Sequence, residues 1–108
     1  MNDLTLSEFE QLVLLALLRQ GPGRDDAYGV SISAEIADRT RRDVSLGAIY
    51  KVLDRLEDRG FVVSRMGDPT PERGGRRKKH YRIAAVGQRA VKHSLEALRS
   101  MTEGLELL

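Results

Sequence analysis

The apolar residues of this chain first recur at helical spacing near its beginning, and from Leu12 to Leu18 they occupy almost every side of the predicted helix. A helix at a protein surface needs an apolar stripe on one side only, so we expect this one to be covered all round. Two overlapping capping boxes, one starting at Thr5 and the other at Ser7, provide alternative beginnings for it. The glycine-rich segment 21–26 ends it.

Two further helices are predicted before the pattern changes. The second can be capped by Asp25 or Asp26 and runs to about Thr40. The third is bounded by Ser45, a good N-cap, and by Gly60, a good C-terminal stop. Its apolar residues recur with the helical period and predict one buried stripe, made of Leu46, Ile49, Leu53 and Leu56.

The outer side of the third helix carries candidate functional residues. At about 100° per residue, Lys51 points directly away from the predicted stripe. Small and charged residues share this outer side, namely Gly47, Ala48, Asp54, Arg55 and Asp58. Tyr50 lies on the flank, where packing and an external contact are equally open alternatives.

The period then changes to two residues. Phe61–Met66 predicts a strand, and the proline- and glycine-rich segment 68–75 predicts a loop. Arg76–Ile83 predicts the returning strand, with Tyr81 and Ile83 on its core face. The two strands would form a small β-hairpin.

A last helix is predicted from about Ala85 toward Leu108. It carries an apolar stripe in which Val91, Leu98 and Leu105 are seven residues apart, and Leu95, Met101 and Leu108 extend this stripe. The fold class predicted from these elements is α+β, mainly α with one small β-hairpin. We expect two parts, a domain of residues 1–84 and a terminal helix of residues 85–108.

Charge is distributed unevenly along the chain, although the net charge is only +2. Residues 59–92 hold ten Lys or Arg against Asp68 and Glu72, a net +8, whereas residues 1–58 sum to −4. Clustered positive charge favours a polyanionic partner. Charge alone is equally consistent with a basic loop that is simply exposed to solvent.

Several functional classes are excluded or disfavoured. The chain has no cysteines, which excludes disulfides and thiolate sites and favours the cytoplasm as its location. The early apolar run is shorter than the roughly 20 residues that span a bilayer, and acidic residues precede it, unlike a signal peptide. His80 and His93 lack metal-ligand spacing, and no catalytic constellation is present. We therefore expect no enzyme activity, cofactor, metal or membrane partner.

The order helix, helix, capped helix, strand, basic loop, strand is that of a winged helix-turn-helix. In such a fold the third helix enters the major groove and the wing reaches the DNA backbone or an adjacent minor groove. Double-stranded DNA is the expected partner, and the candidate contacts are Tyr28, Ser45, Gly47, Ala48, Tyr50, Lys51, Arg55, Arg76, Arg77, Lys78 and Lys79. A winged-helix module that binds protein or RNA is the alternative.

Three segments resemble the PadR family of transcriptional regulators. Residues 45–60 are similar to the family's recognition helix, with Ser-x-Gly-Ala-aliphatic-Tyr, then Leu-x-Arg-Leu-Glu and a closing Gly. Residues 27–29, Ala-Tyr-Gly, resemble the head of its second helix. Residues 74–76 and 79–83 resemble its wing, so the resemblance covers about residues 4–87.

The chain departs from the family pattern at three positions. Lys51 stands where many members have proline, and His80 replaces a frequent tyrosine. Ala84 replaces the threonine that would cap the last helix, so that helix is expected to start later or to fray.

The resemblance also implies an assembly and a function. It implies a homodimeric repressor of the short C-terminal branch that binds an inverted-repeat operator. The last helix would pack against the first helix of the partner subunit through Val91, Leu95, Leu98, Met101 and Leu105. Some relatives bind flat aromatic ligands between tryptophans, and this chain has no Trp, so the sequence identifies no effector.

Overall fold

The computed structural model describes residues 3–20, 29–67 and 79–108. Within them it contains four helices and a two-stranded antiparallel sheet, which confirms the predicted α+β class. The elements in chain order are α1 (Glu8–Gln20), α2 (Gly29–Thr40), α3 (Leu46–Asp58), β1 (Val62–Met66), β2 (Lys79–Ile83) and α4 (Ala85–Thr102). Across the described ranges, no helix combines the length and apolarity needed to cross a membrane.

The start of α1 is fixed by a reciprocal capping box. The Glu10 amide donates to the Ser7 hydroxyl oxygen at 3.1 Å, and the Ser7 amide donates to the Glu10 carboxylate at 2.7 Å. The Thr5 amide instead donates to the Asp3 carboxylate at 2.9 Å. Of the two capping boxes in the sequence, the structure uses the one that begins at Ser7.

The core surrounds α1, which contacts α2, α3, α4 and β2. Val13 and Leu14 are completely buried there. The side of α1 that carries Val13 and Leu14 is covered, as expected. Leu15 and Leu18 instead border an open groove between α1 and α4, which no other described part of this chain covers.

The buried stripe of α3 differs from the predicted one at its first residue. Ile49, Leu53 and Leu56 are buried as expected, and Val52 joins them. Leu46 is 42% exposed, so its assignment to the core was wrong. Helical periodicity gives the direction of a side chain, but it does not say whether a neighbouring element covers that part of the helix.

Arg59, the C-cap of α3, fastens the N-terminal segment to the end of this helix. Its guanidinium donates to the carbonyl oxygens of Asp3 at 3.1 Å and Thr5 at 2.8 Å, and it lies 3.4 Å from the Glu10 carboxylate. It also stacks over the Phe61 ring, 4.4 Å from the centroid. One side chain therefore holds the chain start, α1 and the residue before β1 together.

The hairpin follows directly from α3. The Phe61 amide donates to the Leu56 carbonyl at 2.9 Å, which carries the chain from the helix into β1. The strands pair antiparallel from Val62↔Ile83 to Met66↔Lys79. Tyr81 is buried on the core face, as the alternation predicts.

Helix α4 starts where the sequence pattern placed it and ends earlier. Ala84 is its N-cap without any side-chain hydrogen bond, yet the helix begins at Ala85 and the expected late start was wrong. The helix ends at Thr102 rather than near Leu108. Gly104 has φ +81°, a left-handed conformation that suits the residue just beyond a helix C-cap.

Gly87 is required by a close backbone approach. The Ala84 amide donates to the Phe61 carbonyl at 2.9 Å, which draws the first turn of α4 against the chain before β1. A Cβ atom at Gly87 would lie 2.2 Å from that carbonyl oxygen. Any side chain there must push α4 away from the hairpin.

Gly87→Ala is expected to lower the free energy of unfolding by about 1–3 kcal/mol, the usual cost of forcing an extra methyl group into a packed site. Urea unfolding followed by circular dichroism measures this change. Gly47→Ala is the matched control, because nothing lies within 4 Å of a Cβ at Gly47. An unchanged midpoint for Gly87→Ala would show that α4 moves without cost.

Candidate nucleic-acid interface

The N-terminal end of α3 is well defined by its cap. The Ser45 hydroxyl oxygen accepts a hydrogen bond from the Ala48 amide at 3.1 Å, and the Ser45 backbone is extended. This bond uses the hydroxyl oxygen as an acceptor and leaves its O–H able to donate outward. The other amides of the first turn point along the helix axis, where a phosphate oxygen is favoured.

Gly47 is exposed and has open space in front of it. A Cβ at this position would meet nothing within 4 Å, and its φ lies outside the range that favours glycine. The fold of the chain therefore does not need a glycine here, although glycine costs up to about 1 kcal/mol relative to alanine in a helix. A bare backbone at the start of α3 suits close approach by a surface outside the chain.

Tyr50 is both packed and exposed. A Cβ at Gly29 would lie 2.4 Å from the Tyr50 ring carbon Cζ and 2.5 Å from its hydroxyl oxygen, so the ring rests on the first residue of α2. Its side chain still keeps 39% of its surface exposed. The packing alternative is thus present in the structure, and a DNA contact by the exposed edge stays a prediction.

Acidic residues on the outer side of α3 are confined to its second half, where Arg55 lies between them. Lys51 and Arg55 are exposed, and so are Asp54 and Asp58 toward the C-terminal end. Carboxylates repel a phosphate backbone, whereas the helix N-terminus and Lys51 attract it. The electrostatics therefore favour approach of a polyanion to the first half of α3.

The turn between α2 and α3 adds cations that the sequence analysis did not identify as candidates. Arg41 is exposed, in a left-handed conformation with φ 58°. Arg42 pairs with Glu8 through both carboxylate oxygens, at 2.8 and 3.3 Å, and these bonds hold the pKa of Glu8 below its ordinary value. The Ser33 hydroxyl donates to the Val44 carbonyl at 3.1 Å and fixes the turn against α2. In the sequence, these cations could have been found as two adjacent arginines that end three residues before the N-cap Ser45.

Lys79, a predicted DNA contact, is directed toward α3. Its ammonium lies 3.4 Å from the Glu57 carboxylate and 5.5 Å from the centroid of the Tyr81 ring. Glu57 also accepts a hydrogen bond from the Ser64 hydroxyl of β1. Glu57 thus joins α3 to both strands of the hairpin, a contact that no local pattern in the sequence indicates.

The other predicted wing contacts lie outside the described residues, and these are Arg76, Arg77 and Lys78. Tyr28, a predicted contact before α2, also lies outside them. The described part of the hairpin adds two arginines that the sequence analysis did not include. Val63 pairs with Arg82 and Arg65 pairs with His80, which places these four side chains on the face opposite Tyr81. Arg65 and Arg82 are both exposed.

The predicted dimer contacts occupy a different part of the molecule. Leu95, Leu98 and Met101 are exposed along α4, with Leu98 55% exposed. We call these three residues the α4 stripe. Val91 is 3% exposed and lies in the core of its own chain, and Leu105 follows the end of the helix. In residues 3–20, 29–67 and 79–108, no group of three or more side chains has the arrangement of a metal site.

The Glu57 contact predicts a pH dependence. The Ser64 hydroxyl and the Lys79 ammonium hold the pKa of Glu57 below its ordinary value of 4.5, against the opposing effect of burial. The stabilisation is therefore complete above pH 4.5 and is lost as the pH falls through the folded-state pKa. Because both side chains are about a third exposed, it amounts to less than about 1 kcal/mol.

Glu57→Gln is expected to be less stable than the wild type near neutral pH, with the difference vanishing in acid. Urea unfolding at several pH values between neutral and strongly acidic measures it. Asp58→Asn is the control, since it removes an exposed carboxylate from the same turn. A difference between wild type and Glu57→Gln that persists in strong acid would show that the ionised carboxylate is not what holds the hairpin.

The chain is similar to a family of known regulators and to several solved structures. The family model described as the transcriptional regulator PadR-like family matches residues 14–93. A PadR family transcription regulator from Clostridium difficile is 20% identical, with a TM-score of 0.71 over 90% of this chain and 93% of that one. A transcriptional regulator from Clostridium thermocellum is 24% identical, with a TM-score of 0.69 over 87% of this chain and 85% of that one.

A third solved structure shares the same fold. RosR of H. salinarum is 23% identical, with a TM-score of 0.67 over 94% of this chain and 81% of that one. No curated protein matches the chain. Since the family model covers most of the chain, including α2, α3 and the hairpin, this protein belongs to the PadR-like family of transcriptional regulators.

Proposed function

We propose that this protein is a homodimeric, sequence-specific repressor that binds an inverted-repeat operator in double-stranded DNA. The observation that carries the proposal is the open first turn of α3, where a Cβ added at Gly47 would meet nothing within 4 Å and the adjacent outer face bears Lys51. A major groove about 12 Å wide admits such a helix. A dimer bound where its operator overlaps a promoter excludes the transcription machinery, and it would act in the cytoplasm, where the chromosome lies.

The proposed interface divides the work between two elements. In the proposal α3 reads the duplex through Ser45, Gly47, Ala48, Tyr50, Lys51 and Arg55, and Tyr28 is a further DNA contact. The wing residues Arg76, Arg77 and Lys78 supply phosphate contacts, which add affinity without sequence information. Lys79 serves mainly to attach the wing, because its ammonium faces Glu57.

The proposed dimer uses the other end of the molecule. Residues 85–108 form the dimerisation segment, and residues 1–84 form the DNA-binding domain. The α4 stripe packs against the groove that Leu15 and Leu18 border in the partner subunit. Burial of this apolar surface contributes about 25 cal/mol per Å².

Gly47→Ala is expected to separate stability from binding. The free energy of unfolding should rise by up to about 1 kcal/mol, because alanine is the better helix former and its Cβ meets nothing in the chain. Affinity for DNA should fall, because the methyl group blocks the close approach of α3. Urea unfolding and gel shifts on the same preparations test both parts. Unchanged affinity would mean that this turn does not contact DNA.

Leu98→Asp is expected to weaken the dimer. A carboxylate in a buried apolar interface costs about 2 kcal/mol or more, which raises the dissociation constant of the dimer about thirtyfold. Sedimentation equilibrium measures the constant. Ser100→Asp is the control, because at about 100° per residue it points away from Leu98. A wild type that sediments as a monomer at micromolar concentration would refute the dimer.

DNA recognition is tested by selecting genomic fragments that the protein binds. The recovered site should be an inverted repeat with half-site centres about 10 bp, or a multiple of this, apart.

The double variant Arg76→Ala, Arg77→Ala should weaken binding to operator and scrambled duplex alike. It should also lower the slope of log K against log salt by about one unit per lost phosphate contact. Lys51→Ala should cost ~1–3 kcal/mol mainly on the operator. Preferential binding to RNA, or the absence of binding to any nucleic acid, would favour the alternative of a winged-helix module that binds RNA or protein.

A further inference from the structure

We propose that Leu46 makes the first turn of α3 a reader of thymine, through contact with the 5-methyl group of that base in the major groove. The inference deepens the proposed function and rests on it, because it names the chemistry by which α3 selects a sequence. Leu46 is the first residue of α3, directly after the Ser45 cap.

Leu46 is exposed in a place where its own fold gives it little to do. It keeps 42% of its surface in contact with solvent, whereas the buried stripe of α3 is complete without it. A recognition helix presents its N-terminal residues to the base edges. Leu46 shares the direction of the buried stripe, but as the exposed first residue of α3 it lies at the end of the helix that would enter the groove. An apolar side chain at this position gains free energy only when another apolar group covers it.

Neither of the two residues that follow Leu46 has a side chain that could form hydrogen bonds with the bases. Gly47 and Ala48 follow Leu46, and the Ala48 amide is already bonded to Ser45. Tyr50, four residues after Leu46, lies on the same flank of the helix, and its ring is fixed against Gly29. The start of α3 is thus a small apolar surface with a bare backbone at its centre.

The major groove offers one apolar group to such a surface. Guanine, adenine and cytosine present hydrogen-bond donors and acceptors there, and thymine alone adds a methyl group. A leucine placed over a polar base edge removes water from it without providing a partner, which is unfavourable. Leu46 therefore favours thymine and disfavours the polar edges at the base pair that it faces.

The close approach that this contact needs is available at Gly47. Its missing side chain leaves room for the backbone of the first turn to come near the bases. The first turn also carries no acidic residue, in contrast to α1, where Glu8 and Glu10 occupy that position. The acidic Asp54 and Asp58 lie farther along the helix, away from the turn that would enter the groove.

The test replaces thymine by uracil, which differs from it only by the 5-methyl group. The probe is the duplex recovered by selection from genomic fragments, synthesised once with thymine and once with deoxyuridine at every thymine position. The wild type should bind the uracil duplex about fourfold more weakly for each methyl group lost from contact with Leu46. Because a dimer makes the contact twice, a loss of about fifteenfold is expected for the whole operator.

The variant Leu46→Ala assigns the effect to this side chain. It should bind the thymine and uracil duplexes with nearly equal affinity, whereas Met66→Ala, which removes another exposed apolar side chain, should keep the wild-type preference. Urea unfolding checks that both variants are folded, as expected for exposed positions. A preference for thymine that survives in Leu46→Ala would overturn the role of Leu46.

The failure of the inference differs from the failure of the proposed function. If the wild type binds both duplexes equally and more tightly than scrambled DNA, the protein recognises an operator and the thymine contact is wrong. If it binds no duplex more tightly than scrambled DNA, or binds another protein through Leu46, both proposals fail.

Discussion

The backbone of Phe61 joins α3 to α4. Its amide donates to the Leu56 carbonyl in the last turns of α3, and its carbonyl accepts from the Ala84 amide at the start of α4. Its ring lies beneath the Arg59 guanidinium, which holds the N-terminal segment. A single residue therefore connects the end of α3, the hairpin and the first turn of α4.

This connection restricts how α3 and α4 can move relative to each other. Gly87 rests against the Phe61 carbonyl, so a shift of α4 must be transmitted to the start of β1 and from there to the end of α3. In the proposed dimer, α4 determines where the second subunit lies. The distance between the two recognition helices then depends on this small contact as well as on the dimer interface.

The sequence predicted the elements well because their signals are local. Ser45 and the Ser7 capping box mark two helix starts, and the change of period marks the hairpin. The resemblance to the PadR family was confirmed by the family match. What depended on neighbouring elements was predicted less well. Leu46 points in the direction of the core, but no described element covers it and it is exposed. Val52 is buried, although the predicted stripe did not include it.

In the candidate site, too, local features were predicted and features that depend on contacts between elements were not. Exposed positions on α3 such as Gly47 and Lys51 follow from helical geometry, and the structure places them on the outer side. Lys79 could not be assigned from the sequence, because its partner Glu57 lies on another element, 22 residues earlier. Likewise, the sequence pattern continued the last helix past Gly104, whose left-handed backbone marks the actual end of the helix region.

The carboxylates on the second half of the outer side of α3 have a consequence for the length of sequence that one subunit of the proposed dimer can read. Such a helix offers mainly its first two turns to the groove and touches few base pairs, because Asp54 and Asp58 on either side of Arg55 repel the phosphates from its second half. A sequence of so few base pairs recurs by chance many times in any genome. Discrimination among these copies must come from requiring two of them at one fixed separation and orientation. The accuracy of gene selection would then be set by the rigidity of the assembly more than by the chemistry of any one contact.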